Sequence, residues 1–266
     1  MLSIAENENV SKRVLGEAIV YAGLSNLTYP YYKLKVGSSV TVPGYPHPFV
    51  VVASVHGWST DALMFWCRQT GLLVLGFAGT ESWQDIIVDL DAPWSPWSIG
   101  DLYVGKIHTG FLDETRDVVV PWIDANASLL GKAKKVMVTG HSLGGALAQL
   151  TTMWLNVSHG PSWSGCFTFG SPRVGDDESR FTAMHFMTGS SLVNVMDIYD
   201  PAPMVPPEFT GYERWGNDHG GIFVVTDEGD AYFVDHDYWW ALWPLQLKQH
   251  LMATYIANLN KALSSS

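Results

Sequence analysis

The chain has 266 residues and a formal net charge of −11, and 47% of its residues are hydrophobic against 15% charged. This composition is typical of a compact globular protein, and the length fits a single α/β domain over residues 1–266. The negative charge argues against binding to nucleic acid and against electrostatic attraction to anionic membranes.

Targeting signals are sparse. The acidic N-terminus lacks the basic start and apolar core of a signal peptide, and no apolar run is long enough to span a bilayer, so we expect a soluble chain without stable membrane insertion. Cys67 and Cys166 lie inside apolar runs and are expected to be buried free thiols. Sequons at Asn26, Asn126 and Asn156 favour a secreted mature form over a cytoplasmic one.

The first half of the chain begins with helical spacing over residues 11–29. A strand follows at Phe49–Val55, and Leu63–Arg68 with Leu72–Phe77 predicts a hairpin. Residues Phe111–Leu130 are again spaced as a helix, which Pro121 should kink or restart.

The second half alternates strands with helices. Val136–Thr139, Cys166–Phe169 and Leu192–Tyr199 are predicted strands, and Asp176–Met187 is a predicted helix. This alternation implies right-handed crossovers and a mainly parallel central sheet flanked by helices, so the predicted fold class is α/β.

The end of the chain carries a proline-rich loop after Asp200, which excludes a helix or a central strand there. A hairpin is predicted from Ile222–Thr226 and Asp230–Val234. An apolar-periodic helix is expected from about Leu245 onwards, with Pro244 suited to its first turn.

The sequence Gly140-His-Ser-Leu-Gly144 fits the pattern G-x-S-x-G, placed between a predicted strand and an alanine- and leucine-rich helix. In such a turn a side chain at position 140 or 144 would collide where strand and helix meet. The helix that follows aims its N-terminal amides at the space in front of the serine hydroxyl. Ser142 is therefore predicted to be a nucleophile.

A serine nucleophile needs a histidine to take its proton and an acid to orient that histidine. In this topology the acid and then the histidine follow the serine along the chain. Asp200 is favoured because it lies where a predicted strand ends, whereas alternation within the strand suggests a structural role for Asp197.

Three histidines follow Asp200. His250 is favoured because it lies near the start of the last predicted helix. His236 lies between two carboxylates, which favour its charged form, and His219 lies beside two glycines at a hairpin entrance. Both remain alternatives.

An acyl-transfer site also needs two donors for the oxyanion. One is the backbone amide of Leu143, directly after the nucleophile. The other is expected from the loop after an earlier strand, where Thr80 offers its amide and its hydroxyl.

Five ordered motifs resemble the class 3 lipases, the fungal-lipase-like branch of the α/β hydrolases, and the likeness covers about residues 50 to 260. The motifs are Gly76-Phe-Ala-Gly-Thr80 with Asp85–Leu90 behind it, His108-Thr-Gly-Phe111, Thr139-Gly-His-Ser-Leu-Gly-Gly145, Thr168-Phe-Gly-Ser-Pro-Arg-Val-Gly175 and Asp200-Pro-Ala-Pro-Met-Val-Pro-Pro207.

The resemblance implies an α/β-hydrolase fold and assigns Ser142, Asp200 and His250 to a triad, with Thr80 as an oxyanion donor. It also implies a helical lid at about Ser82–Ser98, which would meet a lipid–water interface.

The implied activity is hydrolysis of acylglycerol esters through an acyl-enzyme, without metal or cofactor. The alternatives are an esterase or phospholipase acting on other esters, and a catalytically silent lipase-like binding module. The sequence leaves the oligomeric state open.

Overall fold

A computed structural model describes residues 10–59, 61–80, 93–161, 163–187, 192–197, 199–216, 222–225, 229–233 and 247–266. The expectations for Pro244, His219 and His236 lie outside these residues. So does most of the segment expected to form a lid.

Nine of the described strands form one sheet in the order β1-β2-β3-β4-β7-β8-β9-β10-β11. The pairs from β4 through β10 are parallel, and the pairs at both edges are antiparallel. This arrangement confirms the predicted α/β class with a parallel centre. The strands are β1 Ser39–Val40, β2 Phe49–His56, β3 Asp61–Cys67, β4 Leu72–Phe77, β7 Lys135–His141, β8 Ser164–Phe169, β9 Leu192–Asp197, β10 Ile222–Val225 and β11 Ala231–Phe233.

Helices cover both faces of the sheet. Along β4 the side chains alternate, so that Leu73 and Leu75 join one buried cluster while Val74 joins the other. Helices α1 and α7 pack in the cluster that contains Val74, and α2, α3, α5 and α6 pack in the other. The helices are α1 Lys12–Leu27, α2 Thr109–Glu114, α3 Val120–Ala125, α4 Ala127–Leu130, α5 Leu143–His159, α6 Asp177–Phe186 and α7 Met252–Ser265.

The region predicted as one helix over Phe111–Leu130 is divided into several pieces. A π-helical turn at Thr115–Val119 separates α2 from α3, and Pro121 lies in the first turn of α3. A proline is tolerated there because its missing N–H needs no partner in a first turn. The predicted restart at this proline is confirmed.

A second, two-stranded sheet is formed by β5 (Trp94–Ile99) and β6 (Leu102–His108). The segment Ser82–Ser98 was expected to be a helical lid, and its last residues are instead a strand. Buried Trp97 between exposed Pro96 and Ser98 follows the two-residue period of a strand. Residues 82–92 lie outside the described part of the chain.

The last helix begins later than expected. Residues Leu247–His250 form a 3₁₀ turn, Leu251 has extended backbone angles, and α7 starts only at Met252. The apolar spacing therefore predicted the helix but not its first residue. His250 lies at the end of the turn rather than in the α-helix.

Cys67 and Cys166 are buried free thiols, as predicted. Asn156, which belongs to a sequon, is fully buried, and its side chain bonds to Ser164. This asparagine is inaccessible to a glycan, which weakens the sequence argument for secretion. Among the described helices, none has the length and apolar character needed to cross a membrane.

Candidate active site

The turn between β7 and α5 carries Ser142 in a conformation that few residues adopt. Its backbone angles are φ 57° and ψ −130°, and the serine is 3% exposed. A Cβ at Gly140 would lie 2.0 Å from the carbonyl oxygen of Gly144, and a Cβ at Gly144 would lie 2.5 Å from the carbonyl oxygen of Ala78. Both glycines are therefore required by close backbone approach, as the motif predicted.

The structure brings together the three residues predicted to form a triad. The hydroxyl of Ser142 donates to Nε2 of His250 over 2.8 Å. On the other side of the ring, Nδ1 of His250 donates to Asp200, with 2.9 Å to Oδ2 and 3.0 Å to Oδ1. The three residues are at most 3% exposed, so these bonds are shielded from water. A serine hydroxyl in this arrangement can transfer its proton to the imidazole.

Asp200 is oriented by further donors. The backbone amide of Ala202 donates to Oδ1 at 2.8 Å, and the hydroxyl of Tyr255 donates to Oδ2 at 2.6 Å. Burial, followed by the charges of Asp200 and Asp197, raises the pKa of Tyr255 well above its ordinary value. The phenol therefore keeps its proton and can donate it to the carboxylate.

Gly170 closes the space behind this carboxylate. It has φ +57°, and a Cβ there would lie 2.6 Å from Oδ2 of Asp200 and 3.2 Å from Nδ1 of His250. Any side chain at this position would push the acid away from the imidazole. Gly170 is a site residue that the sequence motif contained but did not distinguish.

The loop that carries Asp200 is held by two buried arginines. Arg173 donates to the carbonyl oxygens of Met204 at 2.7 Å and Pro206 at 2.9 Å. Arg214 donates to the carbonyl oxygen of Pro203. These bonds give the proline-rich loop a fixed path although it has little regular structure.

Asp197, the alternative acid, lies elsewhere. Its carboxylate accepts a hydrogen bond from Nδ2 of Asn258 on α7 at 2.7 Å and from the amide of Tyr199 at 3.0 Å. It ties the end of β9 to the last helix, in agreement with the structural role expected for it.

The loop after β4 lies directly against the nucleophile. A Cβ at Gly79 would be 2.8 Å from the Cβ of Ser142. Next to it, the hydroxyl of Thr80 is buried and has no hydrogen-bond partner among the described residues. Leu143 is the first residue of α5, so its amide has no acceptor within the helix. The two predicted oxyanion donors thus lie on segments that meet at Ser142.

His108, which belongs to one of the sequence motifs, is also buried, and its backbone amide donates to the carbonyl oxygen of Val174 at 3.0 Å. Its ring stacks on Phe111 with centroids 4.2 Å apart and lies 6.1 Å from the ring of Tyr212. Neither ring nitrogen has a hydrogen-bond partner among the residues that the structure describes, and burial lowers the pKa of His108 to about 4. Within the described residues, no group of histidine, cysteine and carboxylate side chains is arranged to hold a metal.

Comparison with known proteins gives consistent matches. The family model for lipase (class 3) matches residues 74–210, which is just over half of the chain. A lipase of Rhizopus niveus is 33% identical over 145 residues, covering 53% of this chain and 36% of the relative. The secreted mono- and diacylglycerol lipase 1 of Fusarium solani is 38% identical over 119 residues, covering 43% of this chain and 34% of the relative.

The chain thus spans about a third of the length of these two curated relatives. Among solved structures, Rhizomucor miehei triacylglyceride lipase has a TM-score of 0.73 at 21% identity, and the alignment covers 96% of this chain and 99% of that one. This likeness extends the shared fold to nearly the whole molecule. The family model matches the chain from β4 to the proline-rich loop after Asp200, and the fold is shared over nearly the whole chain. These matches show that the chain belongs to the class 3 lipase family.

Proposed function

We propose that this chain is a carboxylic ester hydrolase that cleaves acylglycerols through an acyl-enzyme on Ser142. The observation that carries the proposal is the continuous chain of hydrogen bonds from Ser142 through His250 to Asp200, with 2.8 Å at the serine and 2.9 Å at the acid. A binding module without catalysis has no need of this arrangement.

In the proposed reaction, His250 takes the proton of Ser142 as Oγ attacks the ester carbonyl. Asp200 stabilises the imidazolium that forms, and the Tyr255 hydroxyl holds the carboxylate in place. The amide of Leu143 and the Thr80 donors stabilise the oxyanion. His250 then returns its proton to the leaving alcohol, and a water molecule releases the acyl group by the same steps.

We further propose contact with a lipid–water interface, as a transient partner. Leu251, which follows His250, is 58% exposed, and Trp58 is 70% exposed. Trp58 lies in the turn between β2 and β3. At the end of that turn, the backbone carbonyl oxygen of Asp61 accepts a hydrogen bond from the amide of Ala78 at 2.9 Å. Both exposed side chains therefore belong to segments that adjoin the site, since Leu251 follows His250 and the turn with Trp58 leads to Asp61, which is bonded to Ala78 in the loop before Thr80.

The carboxylate of Glu114 holds the backbone of the turn that carries Trp58. The amide of Trp58 donates to the carboxylate of Glu114 at 3.0 Å, and Glu114 is 1% exposed. Burial raises the pKa of Glu114. This bond holds the backbone of the turn at Trp58.

The named relatives support the choice of substrate class and a secreted location, because one is called a secreted mono- and diacylglycerol lipase. We propose both for this chain. We also propose that residues 1–266 form one domain, supported by a single sheet that takes in strands from Ser39 to Phe233.

The experiment is a hydrolysis panel of p-nitrophenyl esters of short to long chains, with triolein and phosphatidylcholine emulsions beside them. We expect turnover of triolein above that of phosphatidylcholine. Ser142→Ala should lower turnover by about 10⁴-fold or more, as for other serine nucleophiles, while the protein stays folded. Greater activity on phosphatidylcholine would make the chain a phospholipase, and hydrolysis of the p-nitrophenyl esters alone would make it an esterase.

A fluorophosphonate probe separates the enzyme from the silent module. The wild-type chain should be labelled and Ser142→Ala should not. A folded wild-type chain that stays unlabelled would contradict the proposal of any serine hydrolase activity.

A further inference from the structure

The residue before the nucleophile, His141, makes two hydrogen bonds that the proposed reaction does not use. Its Nε2 lies 2.6 Å from the backbone carbonyl oxygen of His250, and its Nδ1 lies 2.5 Å from the hydroxyl of Tyr29. His141 and Tyr29 are 4% and 8% exposed. A buried histidine with a partner on each ring nitrogen is held in one orientation by those bonds.

The partners determine the tautomer of His141. A carbonyl oxygen can only accept, so Nε2 carries the hydrogen and donates it to His250. Burial lowers the pKa of His141 to about 3, so the ring is neutral near pH 7 and Nδ1 is an acceptor. Tyr29 must therefore donate its hydroxyl hydrogen to Nδ1. The direction of both bonds follows from these two facts.

The bond to His250 reaches its backbone rather than its ring. His250 ends the 3₁₀ turn, in which the amide of Leu251 donates to the carbonyl oxygen of Lys248 at 3.3 Å, and α7 begins only at Met252. The bonds from Ser142 and Asp200 hold the ring alone. His141 supplies a point of attachment for the main chain, with the two imidazole rings 4.7 Å apart.

Tyr29 connects the same network to the oxyanion loop. A Cβ at Gly79 would lie 2.8 Å from the Tyr29 hydroxyl oxygen and 2.9 Å from the carbonyl oxygen of His141. The phenol thus packs against the loop that precedes Thr80 while it donates to His141. Hydrogen bonds thus join Tyr29, just after α1, to His141 and to the His250 backbone, and the loop before Thr80 packs against the Tyr29 end of this chain.

We infer that His141 is a positioning residue for the reaction, which holds the backbone of His250 through its Nε2–H, and that Tyr29 keeps it in the tautomer able to do so. The inference rests on the proposed function, because it concerns the same serine and histidine. Loss of Tyr29 would allow the tautomer with hydrogen on Nδ1, whose Nε2 lone pair would face the carbonyl oxygen of His250.

The test compares three variants by the rate at which a small fluorophosphonate labels the serine, by kcat and KM on p-nitrophenyl butyrate, and by Tm. His141→Leu removes both bonds, and we expect labelling and kcat to fall by about 10–100-fold with KM unchanged, because a displacement of about 1 Å at a reacting group can cost 10²-fold. His141→Gln keeps an amide that can donate to His250, and its rates should lie between those of His141→Leu and wild type.

Tyr29→Phe removes one oxygen atom and should lower labelling and kcat several-fold, less than His141→Leu does. The matched control is Tyr45→Phe, which also deletes a phenol hydroxyl, here bonded to Thr70 in the turn between β3 and β4. The control should keep wild-type rates. If His141→Leu does not fold, the comparison of the two tyrosine variants still decides the inference.

The proposed function and this inference fail in different ways. A wild-type chain that the probe does not label contradicts the proposed function before any variant is compared. A labelled wild type with wild-type rates in His141→Leu, or with Tyr29→Phe equal to Tyr45→Phe, contradicts the positioning role alone. So does a His141→Gln variant no faster than His141→Leu.

Discussion

The Tyr255 hydroxyl donates a hydrogen bond to the carboxylate of Asp200, and the effect of removing it can be worked out from the structure. Tyr255→Phe deletes the 2.6 Å bond to the carboxylate and also leaves the amide of Asp197 without the acceptor it now has at 3.0 Å. The phenol is fully buried, so water cannot replace either bond. A lost bond to a charged group and an unsatisfied buried donor together cost about 3 kcal/mol.

For a chain of this size that loss corresponds to a fall in Tm of roughly 6–12 °C, at about 2–4 °C per kcal/mol. The effect on turnover should be smaller, because Asp200 keeps the Ala202 amide and the His250 ring. We expect kcat to fall by about tenfold, equivalent to ~1.4 kcal/mol in the barrier, and KM to stay unchanged.

The measurement is kcat and KM on p-nitrophenyl butyrate together with thermal unfolding, and Tyr45→Phe again serves as the control. A Tyr255→Phe variant that matches the control in both Tm and kcat would refute the reasoning. A fall in activity through KM alone would also refute it, since Tyr255 contacts the acid and not the substrate.

Three further predictions concern histidine and aspartate side chains. His250→Ala should abolish turnover of a short-chain ester while His236→Ala leaves most of it, and the reverse result would move the triad. Asp200→Asn should damage kcat severely and Asp197→Asn much less, although Asp197→Asn should lower Tm; the opposite ranking of kcat would reassign the acid. The pKa of His108 is about 4 in the folded chain, against 6.5 for an ordinary histidine. Between these two pH values the unfolded chain binds more protons than the folded chain, so the contribution of His108 makes the free energy of unfolding fall as the pH falls from about 6.5 to 4. In His108→Phe the free energy of unfolding should therefore depend less steeply on pH in that range, by up to ~1.4 kcal/mol per pH unit, and an unchanged slope in denaturant titrations would contradict this.

The turn at Ser142 and the position of Asp200 could be predicted from residues that are close together in the sequence. The apolar strand before Ser142, the glycines at 140 and 144 and the helix after them are close in sequence, so their sterics can be read directly. Asp200 was predicted for a similar reason, because strands of a parallel sheet end at one edge and a proline follows the strand.

Contacts between distant segments could not be predicted in the same way. Tyr29 and His141 are separated by 112 residues, and nothing in the spacing around Tyr29 indicates that its hydroxyl meets a histidine. The strand β5 was missed because its tryptophans and proline were read together with the helical spacing that precedes them. The 3₁₀ turn before α7 was missed because apolar spacing does not distinguish it from the helix that it adjoins.

The backbone of Ser142 has a wider consequence. A non-glycine residue with φ 57° and ψ −130° costs about 1–3 kcal/mol, and a glycine at the same position would be almost free of that cost. A glycine would relieve this strain, but it would also remove the hydroxyl that Nε2 of His250 accepts at 2.8 Å and would leave that buried nitrogen unsatisfied. The strain at Ser142 is therefore offset by a bond that only a hydroxyl-bearing residue can make, so stability alone does not favour glycine at the nucleophile.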